Sequence, residues 1–132
     1  MSMKKLLAIL ALISLSLPPG ARAAQEEEIT IDTRPGITIS FVVTRPAGPP
    51  KAAVILFAGG PGKVVLWKRD PPRLGRNFLV RSRQIFARYG FLTVTVDVAS
   101  DQRRDGLFGI RGSADHRNDI SAVLDWVRAR TK

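Results

Sequence analysis

Ala52-Ala53-Val54-Ile55-Leu56-Phe57-Ala58-Gly59-Gly60-Pro61-Gly62 is the stretch whose reading decides the fold. Its first seven residues are apolar at every position, so an extended backbone here is apolar on both faces. A half-exposed strand would alternate apolar with polar. Continuous apolarity instead suits a central strand of a parallel sheet, covered by helices on both sides. The run stops at the glycines and Pro61, which lacks the N–H that a ladder needs. Ligands of open α/β sheets gather at the carboxyl ends of strands, and these glycines fall at that end.

On the amino-terminal side, Arg45–Pro50 (RPAGPP) is a loop, since its prolines cannot serve a sheet interior. Before it, Glu28–Thr33 and the first half of Ile37–Thr44 (ITISFVVT) alternate polar with apolar, and Arg34-Pro35-Gly36 separates them. That pattern predicts a β-hairpin. On the carboxyl-terminal side, Lys63–Gly75 reads as a loop or short helical turn around Val64, Val65, Leu66 and Trp67. Phe78, Ser82, Ile85, Phe86 and Tyr89 recur at helical spacing and end at Gly90, a suitable C-cap glycine. Phe91–Val98 (FLTVTVDV) is a further strand, and Asp101–Gly112 a polar loop. Ser113 opens a second helix whose apolar positions Ile120, Val123, Leu124 and Val127 share a face. The expected architecture is therefore α/β: an N-terminal β-hairpin, then β-α-β-α, with helices on both faces of the sheet.

Composition narrows the function. The 132 residues hold 21 Lys+Arg against 11 Asp+Glu, one His and no Cys, with 45% hydrophobic residues. That is one domain with enough apolar mass for a core. Without cysteine there is no disulfide framework, thiol nucleophile or thiolate metal site. The basic excess is scattered and no aromatic residues alternate with it to stack bases, so a nucleic-acid partner is not expected. Solvated arginine-rich faces account for it, with contact to an anionic cell envelope as the functional extra.

Residues 1–23 carry the three parts of a secretory leader: basic Lys4-Lys5, an apolar run Leu6–Leu17, and Ala21-Arg22-Ala23 after Pro18-Pro19-Gly20. The apolar run is 12 residues long, against the roughly 20 a bilayer span needs. Cleavage after Ala23 leaves 24–132, a 109-residue domain whose net charge drops from +10 to +7 with the loss of Lys4, Lys5 and Arg22. The expectation is an exported bacterial protein, periplasmic or secreted, with no membrane span after cleavage.

Three readings of the glycine turn compete. A phosphate loop would need glycine at Phe57 and Ser or Thr at Val64, and neither is present. A tight turn without a ligand is the plainest reading. The third is an oxyanion hole, in which the N–H groups of Gly59, Gly60 and Gly62 meet the negative oxygen of an acyl-transfer intermediate. Further on, Ser113, His116 and Asp119 stand at i, i+3 and i+6, but Ser113 is better explained as a helix N-cap with Asp115 in the first turn. Asp97, Asp101 and Asp105 have the oxygens for a hard cation, though Arg103 and Arg104 lie among them, so ion pairing is the plainer explanation.

Taken in order, these pieces resemble the N-terminal portion of an α/β-hydrolase. Ala58-Gly59-Gly60-Pro61-Gly62 is similar to the superfamily's His-Gly-Gly-Pro-Gly segment, with Ala58 at the histidine position. Arg88-Tyr89-Gly90-Phe91, the strand closing on Asp97, Gly109–Ser113 and the Asp119–Val127 helix follow in the same order. The resemblance covers about Glu27–Lys132. It implies hydrolysis of an ester or related acyl bond in the full-length form, a small-molecule acyl substrate, no cofactor and no metal. It also implies a Gly-x-Ser-x-Gly nucleophile elbow after the next strand, and none occurs in these 132 residues. The expected catalytic set is therefore empty: nucleophile, acid and base are absent, and this portion is inactive alone. Two other classes remain open: a small exported module that binds an anion or partner without catalysis, and an envelope-associated basic protein acting through charge.

Overall fold

In the computed structural model, which describes residues 24–66 and 77–131, β1 (Gln25–Arg34) and β2 (Ile37–Arg45) form the expected antiparallel hairpin. The expected leader over 1–23 and positions 67–75 of the expected Lys63–Gly75 loop lie outside the described residues. The hairpin turns on Pro35-Gly36, and Gly36 takes φ +72°, a conformation that favours glycine. β3 (Ala52–Phe57) runs parallel to β4 (Phe91–Ala99), and β4 runs antiparallel to β2. The sheet is mixed, in the order β1-β2-β4-β3.

Two expectations are corrected here. Only the β3–β4 pair is parallel, and β3 stands at an edge of the described sheet, not at its centre. Burial follows that placement: every residue from Leu92 to Ala99 in β4 is buried, whereas in β3 only Leu56 is. Apolar residues on both faces report what lies above and below a strand. They carry no information about whether both of its hydrogen-bonding edges are paired.

The two faces divide by the period-2 rule of extended backbone. Ile39, Phe41 and Val43 of β2, with Leu92, Val94 and Val96 of β4, meet Val123 and Val127 of α2 (Ala114–Arg128). Phe41 stacks edge-on to Trp126, ring centroids 5.0 Å apart. The opposite face gathers Val42, Ala58, Val64 and Leu66 against Val80 of α1 (Phe78–Arg88). Helices thus cover both faces, as expected.

Both helices begin on side-chain caps. Asn77 Oδ1 accepts the Leu79 amide at 3.0 Å, and Ser113 Oγ accepts the His116 amide at 3.1 Å. Gly90 follows α1 with φ +93°, the left-handed position that ends a helix. The expected stripe on α1 (Phe78, Ser82, Ile85, Phe86, Tyr89) holds in part: Ser82 is buried and Phe86 half-buried, but the other three point outward. Phe78, Ile85 and Tyr89 are 68%, 45% and 70% exposed, while Val80, Ser82 and Ala87 face the sheet. Small side chains let the helix sit close on β4, whose facing residues Thr93 and Thr95 are fully buried. Among the described residues no helix is long and apolar enough to cross a membrane.

Candidate functional site: the glycine turn and the cavity beside it

The glycine turn closes on itself at the carboxyl end of β3. The Gly62 amide donates to Gly59 O at 3.1 Å, with Gly60 at φ +59° between them. Of the three expected oxyanion donors, Gly62 is therefore engaged within the turn, and it is buried. Gly59 and Gly60 are exposed, and their amides donate to no described residue. A Cβ built at Gly60 meets nothing within 4 Å.

Two braces hold the turn. From the sheet, Asp97 accepts the amides of Val64 at 2.8 Å and Leu66 at 2.7 Å, together with its neighbour Val98 at 2.8 Å. Burial pushes the Asp97 carboxyl above its ordinary range, and these backbone donors oppose that rise. From the loop that follows β4, Arg111 donates to Ala58 O at 3.0 Å and Gly60 O at 2.8 Å. The Leu107 amide adds a bond to Pro61 O at 2.9 Å. Gly106 is required beside it, since a Cβ there would lie 2.6 Å from that same oxygen. The signals for these braces were present but ambiguous: Asp97 is a carboxylate near the end of an apolar strand, and Arg111 a lone cation among glycines.

Other sequence candidates separate. Asp97 faces backbone amides, Asp101 pairs with Arg34 at 3.0 Å, and Asp105 pairs with Arg104 at 3.2 Å. Among the described residues no group of three or more His, Cys, Asp or Glu side chains is placed to hold a metal ion. The Ser113-His116-Asp119 series is not brought together as a triad. Ser113 caps the helix, and Asp119, 2% exposed, accepts from Thr33 Oγ1 at 2.5 Å and Arg34 Nε at 2.9 Å.

Beside the turn lies an open cavity of about 470 Å³, lined by Phe57, Arg111, His116, Arg117, Ile120 and Ser121. Burial holds the His116 imidazole below its ordinary pKa; Asp119 opposes that shift and the Arg111 charge reinforces it. The chain matches no family model, no curated protein and no solved structure.

Proposed function

We propose that this chain forms the N-terminal, oxyanion-loop part of an exported α/β-hydrolase that cleaves an ester or related acyl bond in its full-length form. The observation that carries the reading is the pair of amides at Gly59 and Gly60 that donate to no described residue, held in a braced turn at the carboxyl end of a parallel strand. When a nucleophile adds to an acyl carbon, the carbonyl oxygen gains charge, and fixed N–H donors stabilise that charge without reorganising. The Asp97 and Arg111 braces supply the fixity. The position of β3 at the edge of the described sheet supports the reading as well, since the resemblance calls for a following strand beside it.

The chain holds no Gly-x-Ser-x-Gly, so the nucleophile and its partners would come from sequence beyond Lys132. Reading the coding DNA past the Lys132 codon in all three frames tests this. A strand, a Gly-x-Ser-x-Gly elbow and a later histidine are expected. Their absence from every frame would overturn the proposal. Residues 24–132 alone should not turn over a p-nitrophenyl ester, and turnover that survives Gly60→Pro would count equally against it.

A further inference from the structure

We propose that the cavity at the carboxyl end of β3 binds an organic carboxylate, with its apolar tail against Phe57 and Ile120 and its charge met by the guanidinium groups of Arg111 and Arg117. This does not rest on the hydrolase reading, because binding needs no nucleophile.

The lining is one-sided in charge. Among the described residues it presents two arginines and a histidine and no acid. Arg34, Arg45, Arg83, Arg104 and Arg128 each face a carboxylate. Arg111 and Arg117 face none among the described residues; their bonds go to the backbone carbonyls of Ala58, Gly60 and Gly112. A guanidinium has five N–H donors in a planar fork, so one or two carbonyl bonds fix its position and leave donors unused. Those donors match a carboxylate in pairs. The buried carboxylate of α2, Asp119, is held by Thr33 and Arg34. An anion entering the cavity would therefore meet two guanidinium groups that face no carboxylate among the described residues.

The remaining walls set the rest of the ligand. Phe57 and Ile120 belong to the edge of the sheet–α2 core, and both stay only half-buried. They offer an apolar floor that inorganic anions would leave uncovered. About 470 Å³ lies within the roughly 300–1,000 Å³ range of small-ligand sites. Charge at the rim and an apolar floor together select an amphipathic anion.

The test uses the full chain and the ring Hε1 resonance of His116, which is unambiguous because the chain has one histidine. Hexanoate is the probe, with hexan-1-ol, hexylammonium and sulfate as comparisons. Hexanoate should shift the resonance saturably and raise its titration midpoint, since a bound anion favours imidazolium. Arg117→Gln should weaken hexanoate binding about tenfold, and Arg117→Lys less, as expected for loss of a charged hydrogen bond. Hexan-1-ol binding as tightly as hexanoate would reduce the site to an apolar crevice and overturn the proposal. Sulfate binding equally well would do so from the other side, by removing the role of the floor. No saturable shift with hexanoate would overturn it directly. If the variants fail to fold, the ligand comparison on the unmodified chain still decides.

Discussion

Asp97 Oδ1 accepts the Val64 amide at 2.8 Å, tying the end of β4 to the loop that leaves the glycine turn. Its other oxygen takes the Leu66 amide, and between the two Val65 is held at φ +68°. Left-handed backbone at a β-branched residue costs on the order of 1–3 kcal/mol and persists only where its surroundings enforce it. The carboxylate is that enforcement. Asp97→Asn turns an NH2 group toward a backbone donor and should lower stability by about 2–3 kcal/mol in urea denaturation. Val65→Gly should instead stabilise by up to about 1 kcal/mol. An Asp97→Asn variant as stable as the parent would show that the loop holds its shape without the carboxylate.

Where sequence reading succeeded and failed has a common cause. The hairpin, the Ser113 cap and the Gly90 terminus are set by residues a few positions apart, so local pattern reveals them. The edge position of β3 depends on strand pairing, which side-chain apolarity does not report. The inward face of α1 is legible only in part, at Ser82 and Phe86, because its other buried residues, Val80 and Ala87, are small. Val80, Ser82 and Ala87 carry less hydrophobic signal than the exposed Phe78, Ile85 and Tyr89. In the site, the glycines were readable from their run, but the Asp97 and Arg111 braces link positions 31 to 53 residues apart. No spacing rule connects such pairs.

Three glycines of the site should rank by what a methyl group would meet. At Gly60 there is open space, so Gly60→Ala carries only the left-handed backbone penalty, about 1–2 kcal/mol. Gly62 has φ +75°, and its added Cβ would lie 2.6 Å from Leu107 Cδ1. Strain and crowding together should cost about 2–4 kcal/mol. Gly106→Ala should be at least as costly, because the obstacle is the Pro61 carbonyl oxygen, which also accepts the Leu107 amide. Urea midpoints of the three variants check the order, and a Gly60 variant less stable than the other two would contradict it.

Arg34 fastens the hairpin turn to α2. Its guanidinium meets buried Asp119 in two bonds, Nε to Oδ1 at 2.9 Å and Nη2 to Oδ2 at 3.0 Å, and also reaches Asp101 and Asp115. Arg34→Met leaves Asp119 buried with Thr33 as its remaining side-chain hydrogen-bond donor among the described residues, at a cost of about 3–5 kcal/mol. Asp101→Asn removes a partly exposed partner and should cost under about 1 kcal/mol. The double change Arg34→Met with Asp119→Leu should recover much of the loss, since no charge is then stranded. Additive losses in that cycle would mean the two residues act separately.

His116 makes the cavity sensitive to acid. Burial lowers its pKa below the ordinary 6.5, with Arg111 adding to the shift and Asp119 opposing it. A depressed folded-state pKa means the folded chain binds fewer protons than the unfolded chain near that pH. The stabilising contribution is therefore complete above 6.5 and is lost as pH falls through the folded-state value. The His116 Hε1 midpoint should lie below 6.5, and Arg111→Gln should move it upward by removing a neighbouring cation. Stability should fall as pH drops below 6.5, and His116→Gln should lessen that fall. A midpoint at or above 6.5 would mean that the pull of Asp119 outweighs burial and Arg111 together, and the acid loss assigned to His116 would then reverse in sign.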